Sequence, residues 1–97
     1  MPTTDSWKFL TSHALVLATV ADAPDARISD ISAKVGITDR AAHGILKDLE
    51  SAGYVRIDRV GRRNRYRVNR RRRMRHPMAR GLSVGELIEL VGGDDTP

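Results

Sequence analysis

The sequence predicts an α+β fold, mainly α: three helices, a two-stranded antiparallel hairpin and a short last helix. Three observations lead there. Apolar residues recur at helical spacing in three segments ahead of Gly53, each opened by a Ser or Thr able to cap a helix. A period-two alternation follows between Tyr54 and Asn69, interrupted by a loop containing Gly and Asn. Ser83-Val84-Gly85-Glu86 then spells a capping box before a final apolar run.

Thr11 caps the first helix, which runs to about Asp22 and is ended by the loop carrying Pro24. Between Ala14 and Ala21 only Thr19 is polar, so this helix is apolar on more than one face. Arg27 and Ile28 have room for a very short strand. Ser29 caps a second helix, Asp30 to Val35, with Ile31 and Val35 on one face and Gly36 as its stop. Thr38 caps a third, Asp39 to Ala52, stopped by Gly53. Its apolar stripe is Ala42, Ile45, Leu46, Leu49 and Ala52, which leaves Arg40, His43, Lys47 and Asp48 facing water or a ligand. Two capped helices joined by a short turn at Gly36 make a helix-turn-helix.

Tyr54 to Arg59 and Arg65 to Asn69 read as strands, with Val55 and Ile57 facing the same way as Tyr66 and Val68. Val60 to Asn64 is the loop, in which Gly61 and Asn64 supply positive φ. Asn69 to His76 is too polar and like-charged for a core element and reads as an extended linker. The last helix, Val84 to Val91, has Leu82 and Leu87 as a hydrophobic staple and ends at Gly92 and Gly93; the tail beyond is expected to fray.

Ninety-seven residues suit one domain, divided into an apolar arm (1–10), the helix-turn-helix with its hairpin (11–69), an Arg-rich linker (70–82) and the last helix with its tail (83–97). With 40% hydrophobic and 30% charged residues, the composition is that of a globular chain rather than a disordered one. No apolar run reaches membrane-spanning length, and Met1 to Leu10 lacks a basic start before a long apolar stretch. The chain therefore reads as soluble and cytoplasmic. Zero Cys excludes disulfides, thiolate metal sites and a cysteine nucleophile.

Charge is distributed unevenly. Residues 1–55 hold 5 basic and 7 acidic side chains, residues 56–80 hold 12 Arg against Asp58 alone, and residues 81–97 hold 4 acids and no base. So concentrated a positive field favours a polyanion, and nucleic acid is the first partner to consider.

Ile31, Val35, Gly36, Ile37, Ala42 and Ile45 hold the apolar and turn positions of a helix-turn-helix. The run Leu46-Lys47-Asp48-Leu49-Glu50-Ser51-Ala52-Gly53-Tyr54-Val55 leads from its second helix into a strand. In this order of elements, these residues resemble the winged helix-turn-helix of bacterial transcription regulators of the MarR and ArsR kind, over roughly Thr11 to Asn69. Two departures stand out. Full MarR proteins have longer flanking helices that make a dimer with a ligand pocket, and here only Trp7 to Leu10 and Val84 to Val91 lie outside the core. Metal-sensing ArsR members often use Cys ligands, which this chain lacks.

The resemblance implies a third helix in the major groove and a wing on the backbone or minor groove of double-stranded DNA. Thr38, Arg40 and His43 would then face base edges, Ala41 a thymine methyl and Lys47 a phosphate. Arg62, Arg63, Asn64 and Arg65 would form the wing's finger. Gly44 costs about 1 kcal/mol of helix propensity relative to Ala, which leaves close approach of DNA or tight helix packing as its reason. Arg70 to Arg73 either bind phosphate without sequence preference or form a solvated linker.

No Ser or Thr stands with a base and an orienting acid in a recognisable motif, and the His residues form no ligand set, so neither an enzyme nor a metal site nor a cofactor is expected. The apolar surface of the first and last helices exceeds what one small core needs. A homodimer contact is expected through Trp7, Phe9, Leu10, Leu15, Leu87, Ile88 and Val91. No inducer is expected, because nothing encloses a pocket; any small-molecule response would use the groove between the first and last helices and the Trp7 region. Two functions follow: a dimeric, sequence-specific DNA-binding transcription regulator located with the nucleoid, or a winged-helix module that binds protein or structured RNA in a larger assembly.

Overall fold

The computed structural model describes residues 9–90. Trp7 and Val91, the rest of the arm, and the Gly92-Gly93 stop with its tail lie outside the described residues. Helix α1 spans Ser12–Asp22, and the Thr11 hydroxyl accepts the Ala14 N–H at 3.2 Å. Its interior polar group is satisfied locally, because the Thr19 hydroxyl donates to the Leu15 carbonyl at 2.7 Å. The helix can therefore be covered on several sides, and Val16, Leu17 and Val20 are buried.

Helix α2 spans Ile28–Val35 and begins two residues earlier than the Ser29 cap predicts. The Asp30 carboxylate accepts the Arg27 N–H at 3.4 Å and closes the first turn there, so Arg27 and Ile28 form no strand. Helix α3 spans Asp39–Ser51 behind Thr38, whose hydroxyl accepts the Ala41 N–H at 3.0 Å. Gly36, at φ 84°, turns the chain between the two helices. Ser32, buried in that corner, gives its hydroxyl proton to the Asp39 carboxylate and ties α2 to the first residue of α3.

Strands β1 (Val55–Val60) and β2 (Arg63–Val68) pair antiparallel from Val55↔Val68 to Val60↔Arg63. The turn is only Gly61-Arg62, tighter than the expected five-residue loop. Gly61 at φ 64° supplies the positive φ, which frees Asn64 to pair with Arg59 inside the ladder. The expected face holds, because Ile57↔Tyr66 and Val55↔Val68 are cross-strand partners. On its outer edge, β2 is tied to the α1–α2 loop by the Tyr66 N–H, which donates to the Pro24 carbonyl at 3.0 Å.

The extended linker is the largest correction. The Asn69 N–H donates to the Tyr54 carbonyl at 2.9 Å and the Arg72 N–H to the Asn69 carbonyl at 3.1 Å, making a turn at the foot of the hairpin. Beyond it the chain pairs with the start of the last helix: the Gly85 N–H reaches the Arg70 carbonyl at 2.9 Å, Val84 the Arg72 carbonyl at 2.8 Å and Met74 the Leu82 carbonyl at 3.1 Å. Backbone pairing of this kind is indifferent to the charge on the side chains. A 3-10 turn at Pro77–Ala79 reverses the direction between the paired segments.

Helix α4 is Val84–Ile88 and continues as a π turn through Glu89 and Leu90, while the predicted end at Val91 lies outside the described residues. Its capping box is present: the Ser83 N–H donates to Glu86 Oε1 at 2.8 Å and the Glu86 N–H to Ser83 Oγ at 3.2 Å. Val84 and Ile88 enter the same core as Val16, Val20, Ile31, Leu46 and Tyr66. Hence α1 is covered by α2, α3, β2 and α4 together, which uses much of the apolar surface assigned to a dimer.

Candidate nucleic-acid interface

Helix α3 sorts its residues by face. Ala42, Ile45, Leu46 and Leu49 are buried against the core, and Arg40, His43, Gly44 and Lys47 fall at the i, i+3, i+4, i+7 positions of an exposed stripe. Among the described residues, the side chains of Arg40 and His43 have no hydrogen-bond or ion-pair partner. Lys47 lies 3.9 Å from Glu50, a loose solvent-exposed pair. The acids of the helix are turned away or held: Asp39 by Ser32, and Asp48 by His13 of α1, whose Nε2 is 2.8 Å from the carboxylate. Ala41 is exposed on the first turn, while the hydroxyl of Thr38 is committed as the cap.

Gly44 resolves one open alternative. A Cβ built there would meet nothing within 4 Å, so helix packing does not explain it. The glycine leaves a shallow notch between Arg40, His43 and Lys47, with bare backbone at its floor.

The wing is held more firmly than its sequence suggests. The Arg63 guanidinium donates to the Asp25 carbonyl, and Arg65 Nε lies 3.6 Å from the Asp25 carboxylate. At mid-hairpin, Asp58 is shared by Arg56 at 3.1 Å and Arg67 at 3.4 Å. Arg62, at the turn, has no side-chain partner among the described residues, and Asn64 is half-buried in the ladder. Asp25 was not singled out in the sequence, since its contact with Arg63 spans 38 positions and no local pattern announces it.

The expected dimer residues separate. Ile88 is only 7% exposed and belongs to the chain's own core, which removes it from any contact surface. Phe9 is 89% exposed, whereas Leu10, Leu15 and Leu87 are half-buried. Phe9, Leu10 and Leu87 line an open groove of about 840 Å³ together with Leu17, Met74 and Leu82; His13, Asp48, Arg75 and His76 supply its polar groups. This groove lies between α1, the end of α3 and residues 74–87, and Met74, Leu82 and the α3 residues Asp48 and Leu49 are its unforeseen members. Among the described residues, no group of three or more His, Cys, Asp or Glu could hold a metal ion, and no helix is long and apolar enough to cross a membrane.

No curated protein matches the chain. Its three helices and antiparallel hairpin form a winged helix-turn-helix, and residues 9–64, more than half of the chain, match the sequence model of the MarR family. The chain belongs to the MarR family of winged-helix transcription regulators.

Proposed function

We propose that the chain binds double-stranded DNA sequence-specifically as a homodimer, with α3 in the major groove and the tip of the wing on the sugar–phosphate backbone or in the minor groove. The observation that carries this reading is the stripe Arg40, His43, Gly44 and Lys47. It is exposed on one face of α3, its arginine and histidine have no partner among the described residues, and its glycine is unexplained by packing. Arg40 and His43 read base edges, Ala41 contacts a thymine methyl, and Lys47 and Arg62 meet phosphate. Arg63 and Arg65 hold the finger to Asp25 and present their remaining donors to the backbone.

The dimer contact consists of Phe9, Leu10, Leu15 and Leu87, without Ile88. Exposed Phe9 and the apolar groove beside it make a surface that a second copy covers. The protein works at the nucleoid without a small-molecule inducer, and aromatic acids should leave its melting temperature unchanged. Selection of bound duplexes from a random pool tests the main reading. A two-fold repeated motif with half-sites about one helical turn apart is the expected product. A pool that remains random, or preferential capture of structured RNA when it competes with the duplexes, rules this function out.

A further inference from the structure

Asp25 makes two kinds of contact with the wing. Its backbone and that of Pro24 hold the outer edge of β2: the Tyr66 N–H donates to the Pro24 carbonyl at 3.0 Å, and the Arg63 guanidinium donates to the Asp25 carbonyl. Its carboxylate meets Arg65 alone among the described residues, with Oδ1 3.6 Å from Nε. The side chains of Arg65 and Asp25 are 57% and 67% exposed, so the carboxylate stands at the surface of the finger and not beneath it.

The backbone contacts are sufficient to place the wing. The loop is shaped by its own peptide groups, since the Ala23 N–H donates to the Thr19 carbonyl at 2.9 Å and the Ala26 N–H to the Ala23 carbonyl at 3.0 Å. Tyr66, buried in the core, fixes β2 from the other side. None of these contacts uses the Asp25 carboxylate, and a loose, exposed ion pair adds little further hold.

What the carboxylate does change is charge. Arg62, Arg63 and Arg65 carry three positive charges around the turn, and Asp25 offsets one of them. Asp58, the cross-strand partner of Arg65, turns its carboxylate to Arg56 and Arg67 instead. On a surface that meets phosphate, an acid beside a guanidinium repels the backbone and occupies a donor that a phosphate oxygen would otherwise accept from.

We propose that Asp25 is an affinity-limiting residue of the DNA interface: its carboxylate stands in for a phosphate on Arg65 and lowers affinity for any duplex. This rests on the DNA-binding reading of α3 and the wing. Phosphate contacts hold every sequence alike, so tying back one arginine weakens the generic hold and leaves base contacts from α3 a larger share of the binding.

The test measures binding of the full chain to the selected motif and to a scrambled duplex between about 50 and 200 mM salt. Asp25→Asn keeps the shape of the side chain and removes its charge. It should tighten binding to both duplexes by about threefold to tenfold. The slope of log K against log salt should steepen by about 1 to 2, as a dimer gains one phosphate contact per protomer. Glu89→Gln, the same change of charge on an exposed residue outside the hairpin, should alter affinity by less than about twofold. Arg65→Gln supplies an independent reading: it should weaken binding by less than about twofold in the unmodified protein and by about threefold to tenfold in the Asp25→Asn background.

Four results would overturn the proposal. Loss of affinity or of the folded state in Asp25→Asn would make the carboxylate a strut that the wing needs. Unchanged affinity and slope would place it away from phosphate. An equal gain in Glu89→Gln would reduce the effect to net charge, and an equal cost of Arg65→Gln in both backgrounds would uncouple the two residues. Failure of the underlying DNA reading looks different: Arg40→Ala and Arg62→Ala would leave binding of the motif untouched.

Discussion

The tip and the foot of the hairpin are both rich in arginine, and they differ in what holds it. At the tip a two-residue turn brings Arg63 and Arg65 onto Asp25 of the α1–α2 loop, leaving Arg62 to reach outward. At the foot a turn built on Asn69 holds the backbone, while the side chains of Arg70, Arg71 and Arg75 have no hydrogen-bond or ion-pair partner among the described residues. The tip is thus a fixed finger with modest free charge, and the foot a fixed platform with high free charge. Net charge alone does not distinguish them. The anchoring partner does, and at the tip it comes from a distant loop.

The largest effect that sharpens this contrast is salt dependence. On a short duplex, which engages the reading face only, a dimer contacting about 6 to 8 phosphates should show log K falling against log salt with a slope near −5 to −7. A slope shallower than about −2 would remove the wing from the electrostatic footprint.

Next in size is the dimer. Leu87→Asp places a charge in the apolar groove shared with Phe9 and Leu10 and should yield monomers in sedimentation, with DNA affinity reduced by about tenfold or more. A dimer that survives this change would move the contact to another surface.

Gly44→Ala probes the reading face with two readouts of opposite sign. Filling an empty exposed helix position should stabilise the fold by about 1 kcal/mol, or roughly 4 to 8 °C in melting temperature. The added methyl should at the same time weaken DNA binding by closing the notch between Arg40, His43 and Lys47. Unchanged affinity in the stabilised variant would show that nothing approaches the notch closely.

These residues also mark how far the sequence was legible. Helices α1 and α3 could be read because their caps, stripes and stops lie within one or two turns of each other. The start of α2 was misplaced because Asp30 reaches back to Arg27, a side-chain capping contact that competes with Ser29. The foot of the hairpin was misread because like-charged arginines suppress every side-chain signal while backbone groups still pair. Ile88 was placed on a surface because counting apolar faces cannot show that α4 folds back onto α1. For the interface, the exposed residues of α3 followed from periodicity, but the Ser32–Asp39 tie and the role of Asp25 required the tertiary fold.

The smallest effect lies at the foot. Hydrogen bonds from the Ser83 backbone and hydroxyl hold the Glu86 carboxyl below its usual value, with a lesser contribution from Arg73. Because the folded-state value is lowered, the associated stability is present above the ordinary glutamate range and is lost as pH falls through the folded value. Acidification should therefore lower the protection factors of the α4 amides by more than those of the hairpin tip. Equal loss of protection at both ends would mean that the wing and α4 open as one unit.

The most direct test of the central claim compares Arg40→Ala with Arg62→Ala on the selected motif and on a scrambled duplex. If α3 reads and the wing tip anchors, Arg40→Ala should lose about 1 to 3 kcal/mol on the motif and little on the scrambled duplex, collapsing the preference. Arg62→Ala should weaken both duplexes alike and leave the preference intact. The reverse pattern, with preference lost at Arg62 and uniform weakening at Arg40, would contradict this assignment of reader and anchor.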